Sequence, residues 1–350
     1  MPYEKKLSLL DFDYPSLTQE ITASGYPKFR AEQVYVASRQ NKSFAAMNVP
    51  KDVKDYLTER FCDRPVEITE ALTGKDGVEK YLYLLSDGNV IEGVYMPHNY
   101  GDTLCVSTQV GCRMGCAFCA STLNGLVRDL TAGEILGQVV CANARHGGTL
   151  KKRAITNIVL MGSGEPLDNY EEVTMFLRLV SEEKGLNVSL RNVSLSTCGL
   201  VDRIIDLADS GLTVTLTISL HAPTDEKRSA LMPVNKKYNV ASVVEAAKYY
   251  FNKTGRRVIF EYSLIEGENC DVEDAERLAK LLRGFPCHVN LIKLNPVKER
   301  ALLTANKNSV KTFSEALTKL GVSNTLRRSM GNDIEGACGQ LRNKYLKRTD

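Results

Sequence analysis

The sequence of 350 residues contains no run of about 18 apolar residues, so we expect no membrane-spanning helix. Its first residues, MPYEKKLSLLDFDYPSL, lack the long apolar stretch and the small-residue cleavage site of a secretory signal. Ten cysteines are too few for a disulfide scaffold in a chain of this length. We therefore expect a cytoplasmic protein whose cysteines are buried thiols, metal ligands or redox groups.

A strong charge of one sign is also missing, since 45 Lys and Arg against 42 Asp and Glu give a formal net charge of +3. Acidic residues exceed basic ones in the first hundred residues, and small basic clusters lie at 151–153, 327–328 and 342–348. Such clusters are most often solvated faces. Charge alone therefore does not establish a nucleic-acid partner.

The spacing of apolar residues divides the chain into four parts. Residues 1–65 have apolar positions three and four apart, which predicts a helical N-terminal domain. Residues 66–102 hold short runs of β-forming residues between turn sequences, which predicts a β-rich unit. Strands alternate with helices over 103–330, and 331–350 is a C-terminal segment with a basic tail.

The alternation of strands and helices predicts a parallel sheet with right-handed crossovers. The six expected strands are TLCVSTQ (103–109), 154–162, 192–197, 213–221, 256–265 and 288–295. Six such units favour a complete or incomplete α/β barrel over an open sheet. In α/β barrels the chemistry lies at the carboxyl ends of the strands.

The strongest motif is GCRMGCAFC, in which Cys112, Cys116 and Cys119 have the spacing C-x3-C-x2-C after a predicted strand. Three thiolates this close in sequence converge on one inorganic centre only if the backbone wraps around it, which Gly111 and Gly115 permit. A structural zinc ion is an alternative, but zinc takes four ligands, and no fourth Cys or His lies nearby in the sequence. Three ligands to a four-iron cluster leave one iron open for a substrate.

Polar residues end several of the predicted strands. Gly164 and Glu165 lie in GSGEP after strand 154–162, where glycines let a ligand approach the backbone, although an ordinary turn is an alternative. The other polar strand ends are Ser196, the sequence Ser219-Leu220-His221, and Asn295. Because parallel strands end on one rim, we expect these groups to surround one site.

These motifs resemble those of a known family. The cysteine spacing, with Phe118 in C-x-F-C, is similar to that of the radical-SAM superfamily. TLCVSTQVGCRMGCAFCAST, LMGSGEPLDN, ISLHAP, HVNLIKLNP and GNDIEGACGQLR, in this order, resemble the dual-specificity adenine-C2 methyltransferases of ribosomal and transfer RNA (RlmN type). The likeness extends from about residue 20 to about residue 345. One departure is Ser163, where the family pattern has methionine.

The resemblance implies an α/β fold, a radical-SAM partial (β/α)6 barrel with a small N-terminal helical and β extension. Cys112, Cys116 and Cys119 are expected to hold a [4Fe-4S] cluster whose open iron chelates S-adenosylmethionine. One electron then cleaves this cofactor to a 5′-deoxyadenosyl radical. The residues expected to bind S-adenosylmethionine are Gly164, Glu165, Ser196, Ser219, Leu220, His221 and Asn295.

Two further cysteines, Cys105 and Cys338, are by themselves most simply interpreted as buried core thiols. The family resemblance implies instead that Cys338 is methylated by one S-adenosylmethionine, and that a second one converts the S-methyl group to a radical that adds to adenine. Cys105 then resolves the adduct through a transient disulfide with Cys338. Glu92 matches the expected proton acceptor, and a solvated strand carboxylate is its alternative interpretation.

The resemblance also implies the partners. The RNA substrates are adenine 2503 of 23S rRNA, in the peptidyl-transferase centre, and adenine 37 of some tRNAs. The protein is expected to be a monomer without a membrane partner, served by a low-potential electron donor such as flavodoxin or ferredoxin. The adenine must be flipped out of the RNA to reach the barrel. The N-terminal domain and the basic tail are the predicted RNA contacts, with Lys28, Arg30 and Arg39 foremost.

Two rival functions are left open by the sequence. A sister activity methylates C8 of the same adenine, confers ribosomal antibiotic resistance, and uses the same cluster and cysteines. A zinc-stabilised RNA-binding protein without catalysis belongs to a different class. Analysis of the modified nucleoside distinguishes the first rival, and the metal content of the purified protein distinguishes the second.

Overall fold

A computed structural model describes residues 6–295 and 299–327, together with residues 330, 331, 334 and 345. Its helices are α1 (Tyr14–Ala23), α2 (Lys28–Arg39), α3 (Lys51–Arg60), α4 (Ala132–Arg145), α5 (Tyr170–Ser181), α6 (Val201–Asp209), α7 (Asp225–Leu231), α8 (Val240–Thr254), α9 (Val272–Leu281) and α10 (Lys307–Lys319). Its strands are β1 (Val66–Thr73), β2 (Glu79–Leu85), β3 (Val90–Met96), β4 (Asp102–Val106), β5 (Gln109–Gly111), β6 (Leu126–Asp129), β7 (Ile155–Leu160), β8 (Val193–Thr197), β9 (Thr215–Ser219), β10 (Ile259–Leu264), β11 (His288–Lys293) and β12 (Asn324–Leu326).

Ten of these strands form one sheet in the order β1-β2-β3-β4-β7-β8-β9-β10-β11-β12. Strands β1 to β4 pair antiparallel, and β4 and β7 to β12 pair parallel. The predicted α/β class and the six strand–helix units are confirmed. A seventh parallel strand, β12, was not predicted, because three residues are too short to show a periodic pattern.

Alternation along the strands places two different surfaces on the two sides of the sheet. Tyr81, Tyr83 and Leu104 belong to the main hydrophobic core together with residues of α4, such as Ile135.

Helix α4 was not predicted, although Thr131 and Glu134 form a capping box at its start. Its presence follows from topology, because parallel strands such as β4 and β7 need a crossover connection.

The predicted β-rich unit continues the barrel sheet directly. Strand β3 hydrogen-bonds to β4 with Val94 opposite Cys105. The side chains of β2 and β3 that lie on the same side as Cys105 therefore extend the inner surface of the barrel. This continuity brings Glu92 and Cys105 onto one face.

Helices α1 to α3 share a separate hydrophobic core that includes Leu17, Tyr35 and Leu57. The prediction that Arg39 contacts RNA is wrong, because its side chain is buried in this unit. Its guanidinium lies 3.6 Å from the Tyr35 ring centroid and donates to the carbonyls of Leu9 and Phe12. In the described part of the chain, no helix is long and apolar enough to cross a membrane.

Candidate cluster and cofactor site

The cysteine loop begins and ends in a small two-stranded sheet of β5 and β6. The amide of Cys112 donates to the carbonyl of Gly125 at 3.0 Å, which closes the base of the loop. Gly111 and Gly115 have φ angles of 83° and 71°, and a Cβ at Gly111 would overlap the Gly125 carbonyl. The backbone wrapping that was expected of these glycines is therefore present, and at Gly111 only glycine fits.

The loop brings three cysteine thiols together, and the charge of one thiolate affects the pKa of its neighbours. Cys112 and Cys116 are buried, and Cys119 is half-buried. Burial, with a smaller contribution from the charge of Cys119, raises the pKa of the Cys112 thiol to about 12. Burial likewise raises the pKa of Cys116, with smaller contributions from Cys119 and Cys112. Thiolates in this loop thus need a cationic centre to stabilise them.

Cysteine thiolates are the usual ligands of [4Fe-4S] clusters. Cys112, Cys116 and Cys119, which lie in this one loop, would hold such a cluster if it binds. Among the described residues, no three or more His, Cys, Asp or Glu side chains are arranged to hold a single metal ion.

The loop lies over the carboxyl ends of the barrel strands. Cys116 packs in an apolar cluster with Cys198, Ala222, Ile265 and Leu294, which follow β8, β9, β10 and β11. The amide of Ala117, the next residue, donates to a carbonyl at the end of α7 at 2.8 Å. The structure thus places the three thiols at the end of the barrel where chemistry is expected.

The glycine-rich sequence after β7 packs against the chain that leads into the cysteine loop. The carbonyl of Ser163 accepts the amides of Thr108 and Gln109 at 2.9 and 3.1 Å. Gly164 has a φ of 112°, and a Cβ there would lie 2.8 Å from the Gln109 amide nitrogen. The Ser163 hydroxyl donates to the carbonyl of Gly111 at 3.3 Å. Ser163, where the family resemblance predicts methionine, therefore links this sequence to the start of the cysteine loop.

Glu165 is buried, and both of its carboxylate oxygens accept backbone amides. They bind the amide of Leu167 at 3.1 Å and that of Cys198 at 2.7 Å. Burial raises the pKa of Glu165, and these hydrogen bonds oppose the rise. The side chain thus clamps the end of β7 to the end of β8, so that the main chain of Gly164 and Glu165 is held at the rim.

A carboxylate that sequence reasoning missed lies beneath the predicted rim. The hydroxyl of Ser196 is 3.4 Å from a carboxylate oxygen of Glu261 in β10, and Arg327 lies 3.4 Å from the other oxygen. The Glu261 carbonyl accepts the amides of Leu220 and His221 at 3.1 and 3.2 Å. Burial raises the pKa of Glu261, and Arg327 opposes this rise. A charged residue in the middle of the apolar strand sequence VIFEYSLI was the available signal.

His221 presents one defined face of its ring. Its Nδ1 accepts the amide of Ser263 at 2.9 Å, so the ring carries its proton on Nε2. Burial, with a smaller contribution from the charge of Arg228, lowers the pKa of His221 to about 3. The ring edge contacts Phe118 of the cysteine loop at a centroid distance of 4.7 Å. His221 is therefore a neutral hydrogen-bond donor beside the cluster loop.

Arg228 is a second residue that sequence reasoning missed. It is fully buried, and it binds the main chain at two strand ends. Its guanidinium donates to the carbonyls of Cys198, Ser219 and Leu220 at 2.6, 3.3 and 3.1 Å. Arg228 thus fixes the ends of β8 and β9 relative to each other.

Asn295 is exposed two residues beyond β11 at the same end of the barrel, and the described contacts do not join it to the other predicted cofactor-binding residues.

A second group of predicted residues lies on the inner face of β3 and β4. Cys105 is buried in an apolar cluster with Val94, and Met330 and Ile334 of the C-terminal segment pack on this cluster. Glu92 is only 3% exposed and lies 3.3 Å from Lys80, so its interpretation as a solvated carboxylate is wrong. Cys338 lies outside the described residues.

The chain is similar to proteins of known family along almost its whole length. The family described as the radical SAM superfamily matches residues 106–282. A relative from Clostridium perfringens, named a probable dual-specificity RNA methyltransferase RlmN, is 48% identical over 97% of this chain and 98% of its own length. A relative of the same name from Alkaliphilus oremlandii is 46% identical over 98% and 99%. The crystal structure of a radical SAM methyltransferase from Sphaerobacter thermophilus has a TM-score of 0.91 at 41% identity, with 95% of this chain and 98% of that chain covered.

Proposed function

Because the chain belongs to the radical-SAM superfamily and, within it, to the RlmN-type RNA methyltransferases, we propose that it methylates C2 of adenine in two kinds of RNA. The chain is an S-adenosylmethionine-dependent radical RNA methyltransferase, and its family uses a [4Fe-4S] cluster. The proposed substrates are 23S rRNA, at adenine 2503, and tRNAs with an adenine at position 37. The protein acts as a monomer in the cytoplasm and takes electrons from a flavodoxin or a ferredoxin.

When bound, the cluster and S-adenosylmethionine supply a radical that removes a hydrogen atom. Cys112, Cys116 and Cys119 hold the cluster. The main chain at Gly164 and Glu165 and the side chain of His221 bind S-adenosylmethionine. The other residues of this rim are Ser196, Ser219, Leu220 and Asn295. The fixed donors and acceptors of the rim orient the cofactor without rearrangement, which is the usual source of precision in such sites.

The reaction needs two thiols because C2 of adenine is electron-poor and does not attack a methyl sulfonium. Cys338 takes a methyl group from one S-adenosylmethionine, and a second one activates that group for addition to C2. After the addition the ring must lose one electron, for which the bound cluster would be the acceptor, and Glu92 accepts the proton from C2. The Cys105 thiolate then attacks the Cys338 sulfur and forms a disulfide. The sulfur–carbon bond breaks, its electron pair goes to the carbon on C2, and this carbon takes up a proton to give the methyl group. Two molecules of S-adenosylmethionine are consumed in each turnover.

The observation that carries this proposal is the packing around Cys105. Met330 and Ile334 lie against the cluster that contains Cys105, and Ile334 is four residues before Cys338 in the chain. Four residues span at most about 13–14 Å when extended. The length of chain between Ile334 and Cys338 is thus compatible with the proposed disulfide exchange between Cys338 and Cys105.

The N-terminal helices offer a surface for the flipped-out RNA strand. Lys28 and Phe29 are exposed at the start of α2, and the Arg30 guanidinium lies 4.6 Å from the Phe29 ring centroid. An exposed aromatic ring beside basic side chains suits the stacking of a base and the binding of its phosphate. We propose that this surface holds RNA, together with the basic tail.

The test is anaerobic turnover on 23S rRNA fragments and on tRNA, with mass spectrometry of the digested nucleosides. We expect 2-methyladenosine from both RNAs, and no methylated adenosine from a Cys338→Ala control. Methylation at C8 instead of C2 would assign the protein to the sister activity. A purified protein with stoichiometric zinc, no iron and no methylated product would identify a non-catalytic RNA-binding protein.

A further inference from the structure

Strands β2 and β3 carry a buried ion pair on the face of the sheet that bears Cys105. Lys80 Nζ lies 3.3 Å from Glu92 Oε2, and the two side chains are 0% and 3% exposed. In the antiparallel register Lys80 lies opposite Val94, and Glu92 lies opposite Leu82. Val94 also lies opposite Cys105 of β4. The ion pair and the thiol therefore occupy neighbouring positions on one surface.

The residues opposite the two charges, Val94 and Leu82, are buried and apolar. An ion pair in such surroundings contributes little to stability, because the loss of hydration offsets the attraction between the charges. Apolar residues of similar volume often stabilise a fold more. The pair is thus poorly explained by folding alone, and its position on the same face as Cys105, the proposed resolving thiol, points to a role in the reaction.

A hydrogen bond also fixes the main chain of Glu92. The Ser107 hydroxyl donates to the Glu92 carbonyl at 2.7 Å and accepts the Ser163 amide at 2.9 Å. Glu92 is therefore connected to the glycine-rich sequence at the cofactor rim. On its other side lies the Cys105 cluster, on which Ile334 packs.

We propose that Lys80 is a positioning residue that holds the Glu92 carboxylate in the orientation needed to remove the C2 proton of the RNA adduct. This inference rests on the proposed function. In the step, the C2–H bond breaks, its electron pair stays with the adenine ring, and the proton passes to a carboxylate oxygen of Glu92. Lys80, whose Nζ lies 3.3 Å from Glu92 Oε2, fixes the position of the carboxylate for this transfer.

The test compares Lys80→Met, which removes the charge, with Lys80→Arg, which keeps it, in anaerobic single-turnover reactions. Lys80→Met and Glu92→Gln should accumulate a covalent, ribonuclease-sensitive protein–RNA complex. Resolution of this complex should slow by about 10²- to 10⁴-fold, the usual contribution of a general base. Methylation of Cys338, followed by mass spectrometry of the protein, should be unchanged in both variants, because that step needs no base at Glu92. Lys80→Arg should resolve the complex much faster than Lys80→Met.

Lys227→Met is the matched control, since Lys227 pairs with the buried Asp274 at 2.7 Å on the outer layer of helices. It should lower stability without accumulating the complex. If Lys80→Met does not fold, Lys80→Met with Glu92→Leu replaces both charges by apolar groups. This double variant should fold and still stall at the complex.

Resolution of the complex at the wild-type rate in Lys80→Met, or in the double variant, would overturn the proposal. So would equal slowing of every step in Lys80→Met and Lys80→Arg, which is the behaviour of a purely structural lysine. In both cases the wild-type protein still methylates RNA, and the proposed methylation of adenine C2 stands. Wild-type resolution by the double variant would in addition exclude Glu92 as the proton acceptor. If the wild-type protein gives no 2-methyladenosine, the proposed function fails, and the role of Lys80 fails with it.

Discussion

The hydroxyl of Ser107 accepts the amide of Ser163 at 2.9 Å and donates to the carbonyl of Glu92 at 2.7 Å. Ser163 donates in turn to the carbonyl of Gly111, next to the first cluster cysteine. Two serines thus connect the strand of the expected proton acceptor, the cofactor rim and the cluster loop. Both side chains are buried, so these hydrogen bonds do not compete with solvent.

Replacement of Ser107 by Ala should destabilise the protein, because the buried carbonyl and amide both lose a partner. The free energy of unfolding should fall by about 1–3 kcal/mol, as measured by denaturant titration under anaerobic conditions. Ser181→Ala removes a hydroxyl that, among the described residues, binds carbonyls of its own helix, and it should lower the free energy of unfolding much less. Equal stability of Ser107→Ala and the wild type would show that the hydrogen bonds of the Ser107 hydroxyl do not stabilise the fold.

Replacement of Cys112, Cys116 or Cys119 by Ala should abolish the visible absorption of the cluster and all cleavage of S-adenosylmethionine. The reason is that three thiolates leave no spare protein ligand. Iron content, absorption and 5′-deoxyadenosine formation are the measurements. Cys141→Ala is the control, since this buried thiol lies 3.3 Å from the Val66 carbonyl, far from the loop. Wild-type iron in a triplet variant would contradict the assignment.

Stability should fall with acidification through the range in which free histidine titrates. The pKa of His221 is lowered to about 3 by burial, whereas an unfolded histidine has its ordinary value of about 6.5. Between these values the unfolded chain binds a proton that the folded chain does not, so unfolding becomes easier as the pH falls from about 6.5. His221→Gln should flatten this part of the stability profile in denaturant titrations. The same slope in variant and wild type would contradict a neutral His221.

Variants of Cys105 and Cys338 should differ in the step at which the reaction stops. Cys105→Ala should still accept a methyl group at Cys338 and still attack RNA, and should then stall with RNA attached. Cys338→Ala should form neither methylated protein nor adduct. A denaturing gel of each variant purified from cells, with and without ribonuclease, is the measurement. Normal turnover by Cys105→Ala without attached RNA would contradict the two-thiol mechanism.

Two basic residues of α2 should separate RNA binding from folding. Lys28→Ala should weaken RNA binding and lower the salt dependence of log K by about 0.7–0.9, the contribution of one phosphate contact. Arg39→Met should instead lower stability, because it removes buried hydrogen bonds to main-chain carbonyls. Binding titrations at several salt concentrations and thermal unfolding distinguish the two. Unchanged salt dependence in Lys28→Ala would exclude it from the RNA surface.

The sequence by itself determined the architecture and the position of the cysteine loop after a strand. Strand–helix alternation was sufficient for the parallel sheet, and the spacing of Cys112, Cys116 and Cys119 predicts a three-thiolate centre. Both depend on local periodicity and spacing, which can be read directly from the amino-acid sequence. The two glycines of the loop could be interpreted in the same way, since their conformation is a local property.

Only the tertiary structure decided which polar side chains are buried and what they bind. Arg39, predicted as an RNA contact, lies inside the helical unit, while Arg228, Glu261 and Lys80 are buried at the ends or on the inner face of the sheet. Glu165 turned out to bind backbone amides from two different strand ends. A charged residue looks the same in a sequence whether its side chain faces solvent or binds a partner on a distant strand. Its environment is set by long-range packing, because burying a charge is tolerated only where another part of the chain supplies the compensating group.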